Sequence, residues 1–314
     1  MNIVITGASS GIGLRTAEKL KELGNNVINV SLAPCGVAGI VDILADFAEA
    51  DAARKAVDEA FERLGTVDVA IWCAGYSIAG SILDVTDEDI ERITAVNYLS
   101  AVKFCRACAE RMTGGKIILL SSMAGYIPLA YEHYYCATKA ALISYARVAG
   151  MEFKHAPIQF CCITPSGVAT EFSRNRKKVY GTHENNNLNA AISSITDMEQ
   201  SGILADKVAD HIVALLSKPK LPTLSTVTFR DKMILLGASL IPSAWEDGIM
   251  ARAMGQRKPK LTRVQEQTRP VQLPQIIDMM DQSKPRDPNE GYKDLGIDPA
   301  EYGYTDDYKD RPYH

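Results

Sequence analysis

The sequence predicts an α/β fold in which helices cover both faces of a doubly wound parallel sheet. Apolar runs of strand length alternate with amphipathic runs of helix length, and a glycine-rich turn follows the first apolar run. The chain has 314 residues, 46% of them hydrophobic, and can therefore bury a large core. We expect one main domain over residues 1–255 and a C-terminal extension over residues 256–314.

Each predicted element follows from its own stretch of sequence. Strands are predicted at the apolar runs NIVITG, NVINVS, GIVDILAD, VDVAIWCAG, GKIILLSS and IQFCCITP. Helices are predicted over GLRTAEKLKEL, ADAARKAVDEAFERLG, residues 87–112 and residues 135–153, where apolar positions recur at helical spacing. Only about ten residues link the second and third strands, fewer than a parallel crossover normally needs, so any helix there is vestigial.

The turn after the first strand has the composition of a phosphate-binding loop. In TGASSGIG, Gly7, Gly11 and Gly13 stand between the first strand and the first helix. Glycines at such a turn let the backbone approach a pyrophosphate, whose charge the helix N-terminus attracts. The turn therefore predicts a dinucleotide site.

Composition and charge exclude several other classes of protein. A net charge of −4 without a clustered basic excess argues against nucleic-acid binding. No signal peptide precedes the first strand, and the apolar stretch MILLGASLIP is too short to span a bilayer, so a cytoplasmic protein without a transmembrane segment is expected. The seven cysteines indicate reduced thiols, and Cys105 and Cys108 are interpreted as packing residues of a helix. No cluster has metal-ligand spacing, so no metal is predicted.

Several motifs in the expected order resemble the short-chain dehydrogenase/reductase family. They are TGxxxGxG from Thr6 to Gly13, Asn97 in AVNYLSA, Ser122 thirteen residues before a tyrosine, and the YxxxK of Tyr135 and Lys139. The resemblance extends from the first residues to about residue 215. It implies a Rossmann-like fold and an NAD(P)-dependent oxidoreductase that interconverts a secondary alcohol and a ketone.

The resemblance implies catalytic roles for Asn97, Ser122, Tyr135 and Lys139. Residues four apart share one face of a helix, so the Tyr135 phenol and the Lys139 ammonium can meet. The ammonium and an oxidised nicotinamide would lower the pKa of the phenol from about 10 toward the working range of a proton-transfer group. Ser122 would polarise the substrate oxygen, Lys139 would also hold the nicotinamide ribose, and Asn97 would support a water relay.

The resemblance also implies the residues that contact the cofactor. They are Gly7, Ser9, Ser10, Gly11, Ile12, Gly13, Ser31, Asp46, Phe47, Cys73, Ala74, Gly75, Tyr135, Lys139, Pro165, Val168 and Thr170. Asp46 ends the third predicted strand, where it would bind the adenine amino group. Trp72 and Cys73 replace both asparagines of the Asn-Asn-Ala-Gly stretch of the family, so the side-chain bonds that usually brace this strand are lost.

The choice between NAD and NADP depends on the end of the second strand. An acidic residue there would repel a 2′-phosphate, whereas an arginine would attract it. The sequence has Ser31 and Leu32 at these places, so neither signal is present. Because Ser31 could donate a hydrogen bond to a 2′-phosphate and nothing there repels one, NADP is slightly favoured over NAD.

The substrate region is predicted downstream of Thr170. Residues 171–204 would form a substrate lid. The run from Arg174 to Lys178 would meet an acidic substrate, a carrier-borne phosphate or the cofactor phosphate, or be a solvated surface run, which is favoured. An apolar segment with Met233, Leu235, Leu236 and Trp245 would line a pocket for a lipophilic, steroid-like substrate. The alternatives for that segment are an oligomer contact and a peripheral membrane contact.

Two other functions and the oligomeric state stay open at this point. The rival enzyme is a reductase of carrier-bound 3-oxoacyl groups, and the rival from another class is a catalytically silent dinucleotide-binding redox sensor. Helices over 87–112 and 135–153 commonly form subunit contacts in the family, which implies a homodimer or homotetramer. The C-terminal residues 256–314 are polar and rich in proline, so they cannot form a core and would be a flexible tail or an arm.

Overall fold

The computed structural model describes residues 1–181, 185–240 and 243–256. The strands are β1 (Asn2–Thr6), β2 (Asn26–Ser31), β3 (Val41–Leu44), β4 (Val69–Trp72), β5 (Ile78–Gly80), β6 (Gly115–Leu120), β7 (Ile158–Ile163), β8 (Val168–Ala169), β9 (Lys177–Val179), β10 (Ile203–Leu204) and β11 (Leu224–Ser225). The helices are α1 (Gly11–Glu22), α2 (Ala52–Leu64), α3 (Asp87–Thr94), α4 (Ser100–Arg111), α5 (His133–Glu152), α6 (Asn185–Gln200), α7 (Ala205–Leu216), α8 (Phe229–Leu240) and α9 (Ser243–Ala253).

Seven strands form one parallel sheet in the order β3-β2-β1-β4-β6-β7-β11. The chain winds outward from β1 in both directions, so the order reverses between β1 and β4. A crevice forms at such a switch point, beyond the carboxyl ends of the strands. This topology confirms the predicted doubly wound sheet and places the glycine-rich turn at its centre.

The sheet is buried because helices pack on both of its faces. Side chains alternate along a strand, so Val4 of β1 joins one core while Ile3 and Ile5 join the other. The first core contains residues of α2, α4 and α5, and the second contains residues of α1 and α7. Cys105 and Cys108 lie fully buried in the first core, which confirms that they are packing thiols.

Three elements differ locally from the sequence prediction. No helix forms between β2 and β3, so the crossover predicted to be vestigial has no helix at all. The helix predicted over 87–112 is interrupted by a π-helical turn, Ala95–Leu99, which contains Asn97. Such turns lodge one extra residue in a helix and are frequent at functional sites. The third strand ends at Leu44, so Asp46 lies two residues beyond it.

None of the helices in the described ranges is long and apolar enough to cross a membrane. The cytoplasmic location remains a prediction. The extension predicted over 256–314 lies outside the described residues apart from Gln256, and its division from the main domain also remains a prediction.

Candidate active site

A cleft of about 750 Å³ lies over the carboxyl ends of β1, β4, β6 and β7. Every cofactor contact predicted from the sequence lines this cleft, as do Ser122, Tyr135 and Lys139. Asn97 is the exception among the predicted site residues, because it lies behind the wall. The fold therefore gathers motifs that are up to about 160 residues apart in the sequence into one cavity.

The glycine-rich turn is shaped so that side chains cannot fit. Gly7 has φ of 71°, and a Cβ on it would lie 2.8 Å from the Ala74 nitrogen. A Cβ on Gly13 would lie 2.3 Å from the Gly7 carbonyl oxygen. Ser10 precedes α1 with an extended backbone and no side-chain cap, so the first N–H groups of α1 face the cleft. These features fit a pyrophosphate held by backbone donors at a helix N-terminus.

Trp72 stabilises β4 where the family usually has asparagine side chains. Its buried ring packs between Phe47 and Phe104, with centroid distances of 4.6 and 5.3 Å. The turn after β4 is fixed by Thr6, whose hydroxyl oxygen accepts hydrogen bonds from the nitrogens of Cys73 and Ala74, both at 3.1 Å. An aromatic cluster and one threonine thus hold the loop in place.

Ser122, Tyr135 and Lys139 converge at one end of the cleft. The Tyr135 ring is 9% exposed, and the Lys139 Nζ atom lies 5.6 Å from its centroid while donating to the Leu120 carbonyl oxygen at 3.0 Å. The neighbouring Ser121 donates to the Lys139 carbonyl oxygen at 2.7 Å and is buried. Ser122, in contrast, lines the cleft together with Tyr135, and its hydroxyl oxygen accepts a hydrogen bond from the Ala124 nitrogen at 3.1 Å.

Burial dominates the electrostatics of this end of the cleft. It raises the pKa of Tyr135 well above its ordinary value; the nearby Glu132 carboxylate adds to this, and the hydrogen bond with Ser122 opposes it. Burial also lowers the pKa of Lys139 to about 8. The lowering of the tyrosine pKa that was expected from Lys139 does not offset the effect of burial. At neutral pH Tyr135 therefore carries its proton, the form that can protonate a ketone oxygen.

Asn97 holds the backbone beside Lys139. Its amide nitrogen donates to the Tyr76 carbonyl oxygen at 2.8 Å, and its Oδ1 atom accepts from the Tyr76 nitrogen at 3.0 Å. A Cβ on Gly75 would lie 3.1 Å from Asn97 Oδ1 and 3.5 Å from Lys139 Nζ. The extra residue of the π-helical turn brings the amide to this place. A role in a water relay remains a prediction.

The adenine end of the cleft contains a cation that the sequence motifs did not reveal. Arg92 of α3 forms an ion pair with Asp46 at 2.9 Å, and both residues line the cleft. Burial by itself would raise the pKa of Asp46, but hydrogen bonds from the Ala48 nitrogen and Arg92 hold it below its usual value. Arg92 and Asp46 are 46 positions apart, so the local sequence gives no sign of their ion pair and only the fold shows it.

Ser31 is already engaged in a hydrogen-bond chain inside the protein. Its hydroxyl donates to Asn29 Oδ1 at 2.7 Å, and the Asn29 amide donates to Asp42 at 2.8 Å. Ser31 and Leu32 both line the cleft. The expectation that Ser31 donates to a 2′-phosphate therefore requires this hydroxyl to change partner.

The substrate end of the cleft is mainly apolar. It is lined by Ile127, Leu129, Phe172, Ile195, Met198, Ile234 and Met250, together with Asn175, Glu199 and Arg230. Most of the segment predicted as a lid lies between β8 and β10, which pair with each other in a small sheet separate from the seven-stranded one. Phe172 places its ring 5.6 Å from that of Tyr135.

The predicted pocket wall of Met233, Leu235, Leu236 and Trp245 is wrong. None of these residues lines the cleft, and Trp245 is 71% exposed. Helices α8 and α9 instead turn Arg230, Ile234 and Met250 toward it. The apolar pattern indicates helices, but it does not specify which side of a helix meets the cleft.

The basic run from Arg174 to Lys178 is neither a substrate-binding patch nor a solvated surface as a whole. Arg176 is completely buried between two glutamates, and Lys177 forms an ion pair with Asp89 at 2.5 Å. Arg174 is exposed and pairs with Glu171 in its own turn. Whether a basic side chain of this run is buried or exposed depends on carboxylates far away in the sequence, which the local pattern does not reveal.

Fold and site together define a nucleotide-dependent oxidoreductase. Residues 1–180 match the family model described as short chain dehydrogenase, which covers more than half of the chain. The protein therefore belongs to the short-chain dehydrogenase/reductase family and is an NAD(P)-dependent enzyme. Within the described residues no group of three or more His, Cys, Asp or Glu side chains is placed to hold a metal ion.

Relatives and solved structures agree with this membership. A protein of Helicobacter pylori named a probable short-chain type dehydrogenase/reductase is 29% identical over 270 residues, 81% of this chain and 98% of its own. A 3-ketodihydrosphingosine reductase of Bacteroides thetaiotaomicron is 34% identical over 178 residues, 55% of this chain and 66% of its own. A short chain dehydrogenase of Burkholderia cenocepacia, solved in complex with NADP, is 27% identical with a TM-score of 0.60, over 72% of this chain and 95% of its own.

Proposed function

We propose that this enzyme reduces a lipophilic ketone to a secondary alcohol with a nicotinamide cofactor. The observation that carries the proposal is the convergence of Ser122, Tyr135 and Lys139 between the glycine-rich turn and an apolar substrate end. The raised pKa of Tyr135 keeps the transferable proton on the phenol at neutral pH, which is the form that ketone reduction uses. The name of the Bacteroides relative also describes a ketone reductase.

Each side chain has one task in the proposed reaction. The bound reduced nicotinamide supplies a hydride to the carbonyl carbon. Tyr135 donates its phenolic proton to the carbonyl oxygen, and Ser122 donates a hydrogen bond to the same oxygen and fixes its position. Lys139 holds the nicotinamide ribose, and Asn97 keeps the Gly75–Tyr76 backbone in contact with the lysine. In the oxidative direction the same groups act in reverse.

The rival hypotheses have lost part of their support. The basic run is the sequence feature that favours a carrier-bound substrate, and its Arg176 and Lys177 are occupied by internal ion pairs. A catalytically silent dinucleotide-binding sensor would not need the acid–base set, so the convergence of Ser122, Tyr135 and Lys139 argues against it. Burial also raises the pKa of Cys73 to about 12, which suppresses its thiolate. A screen of ketones, secondary alcohols and 3-oxoacyl thioesters with NADPH and NADH, followed by nicotinamide absorbance, tests the proposal. Turnover of thioesters alone would replace it by the carrier-bound alternative.

We expect Met198→Ala to weaken the binding of a long apolar ketone. Met198 lines the substrate end from α6, inside the proposed lid over 171–204. Each apolar CH₂ group removed from water contributes about 0.8 kcal/mol, so KM for 2-decanone should rise about fivefold while KM for 2-butanone changes little. Trp245→Ala, outside the cleft, is the matched control and should alter neither. Equal effects of Met198→Ala on both ketones would contradict an apolar substrate wall.

We expect NADPH to bind at least as well as NADH, because no acidic residue stands at the end of β2. Ser31→Asp should shift the preference toward NADH by about tenfold or more, since it places a like charge beside a 2′-phosphate. Ser31→Ala removes the hydroxyl without adding charge and serves as the control. Fluorescence titration with both cofactors measures the preference, and a clear preference of the unmodified protein for NADH would refute the assignment.

We also expect a homodimer or homotetramer. The helices implied in subunit contacts leave apolar side chains exposed, with Leu99 46%, Val148 55% and Met151 67% accessible. Burial of such residues between copies would remove apolar surface from water. Light scattering over a wide concentration range measures the mass; a monomer throughout would exclude the assembly.

A further inference from the structure

Arg176 is a buried cation in the segment that faces the catalytic tyrosine. Its side chain is completely inaccessible to solvent, and its guanidinium contacts two carboxylates: Nε lies 2.5 Å from Glu132 Oε1, and Nη2 lies 2.7 Å from Glu199 Oε1. Buried charges are rare unless paired, because desolvation costs several kcal/mol per ion. The two glutamates therefore compensate the charge that Arg176 carries in the protein interior.

The three residues join three separate parts of the substrate end. Glu132 immediately precedes α5, and its carbonyl oxygen accepts the first hydrogen bond of that helix from the Cys136 nitrogen at 2.9 Å. Glu199 lies in α6 and lines the cleft. Arg176 lies directly before β9, which pairs with β5. One guanidinium thus links the proposed lid to the start of the helix that carries Tyr135.

Tyr135 lies three residues after Glu132, so the ion cluster also acts on it through space. With two carboxylates and one guanidinium, the cluster has one negative charge in excess when both glutamates are ionised. Burial raises the pKa of Glu132 to about 7; Arg176 opposes this and Glu199 adds to it. The titratable groups packed around the Tyr135 phenol are Glu132, Cys136, Lys139, Glu199, Tyr76 and Tyr134.

We propose that Arg176 is a positioning residue that holds Glu132 and Glu199 together and thereby fixes both the place and the electrostatic surroundings of the Tyr135 hydroxyl. The proposal rests on the proposed function, since it assumes that Tyr135 transfers the proton. Arg176 is ion-paired with Glu132, the carboxylate that raises the pKa of Tyr135 more than Glu199 does. Removal of the guanidinium should make the phenolate harder to form, whereas removal of the Glu132 charge should make it easier.

Opposite shifts in pH dependence distinguish this role from a merely structural one. We expect Arg176→Met to raise the apparent pKa of the base that limits 2-decanol oxidation, and Glu132→Gln to lower it, each by about one pH unit. For Arg176→Met, kcat should fall about 10- to 100-fold with a smaller change in KM, because the acid–base group is misplaced. Arg176→Lys keeps the charge and should restore the unmodified pKa.

The matched control is Arg174→Met, which removes an exposed arginine of the same turn and should leave the pH profile unchanged. Thermal melting and NADPH titration show whether each variant folds. If Arg176→Met does not fold, Glu132→Gln and Arg176→Lys still carry the test. A second readout needs no turnover: tyrosinate absorbance of each variant with NADP, minus that of the same variant carrying Tyr135→Phe, follows the phenol directly.

The outcomes separate the two proposals. Full turnover of Tyr135→Phe would overturn the proposed function itself. Loss of turnover in Tyr135→Phe, together with unshifted profiles in Glu132→Gln and in the Arg176 variants, would overturn only the positioning role. Shifts of the same sign in Arg176→Met and Glu132→Gln would also overturn it, because general loosening of the site would produce them.

Discussion

Tyr135→Phe is expected to keep the fold and cofactor binding while turnover falls about a thousandfold. The phenylalanine ring fills the same space in the cluster with Phe172 and Ile78, so packing is preserved. What disappears is the hydroxyl that is proposed to donate the proton to the ketone oxygen. Steady-state reduction of 2-decanone and titration with NADPH measure the two effects separately.

The adjacent tyrosine provides the control for this experiment. Tyr134→Phe removes a hydroxyl from the same turn of α5, and turnover should remain close to that of the unmodified protein. Lys139→Ala should reduce both cofactor binding and turnover, because the lysine is assigned to the ribose as well as to the acid–base site. Near-normal activity of Tyr135→Phe would contradict the proposed mechanism. Unchanged cofactor binding in Lys139→Ala would contradict the proposed contact between the lysine and the ribose.

Gly13→Ala is expected to damage both the fold and the cofactor site. A Cβ at this position would lie 2.3 Å from the Gly7 carbonyl oxygen, which is backbone and cannot move without reshaping the turn. Overpacking of this kind typically costs about 1–3 kcal/mol of unfolding free energy. The displaced N-terminus of α1 should bind NADPH at least about tenfold more weakly, because its N–H groups no longer meet the pyrophosphate.

Gly237, which also lies in a helix, provides a matched control for Gly13→Ala. Gly237 lies in α8, and a Cβ on it would have no atom within 4 Å, so Gly237→Ala should leave NADPH binding unchanged and raise stability by up to about 1 kcal/mol. Denaturant unfolding and cofactor titration on both variants decide the matter. Unchanged NADPH affinity in Gly13→Ala would contradict the assigned pyrophosphate site.

The substituted turn after β4 shows how the fold accommodates a departure from the family pattern. The asparagines that usually occupy these positions would act through side-chain hydrogen bonds. Here Trp72 fills the space with an aromatic ring between Phe47 and Phe104, and the Thr6 hydroxyl accepts from the backbone. The cleft keeps its backbone wall with a different set of interactions behind it.

Most of the site was predictable because it follows strand ends. Residues just after β1, β4, β6 and β7 must gather at one edge of a parallel sheet, so motifs at these places meet whatever their separation along the chain. The four-residue spacing of Tyr135 and Lys139 puts them on one helix face without reference to the rest of the fold. No comparable rule says which apolar side chains line the cleft, and the prediction that Met233, Leu236 and Trp245 line it was wrong.

The sequence by itself determined the order of the main strands and helices, the glycine-rich turn and the residues proposed for acid–base catalysis, because periodicity, glycine geometry and residue spacing are local properties. Only the tertiary structure decided that Arg176 is buried between Glu132 and Glu199, that Arg92 meets Asp46, and that α8 turns Ile234 rather than Met233 toward the cleft. Whether a charge is solvated or paired, and which side of a helix is covered, depends on groups far away in the chain. Those partners are fixed only when the whole core has packed.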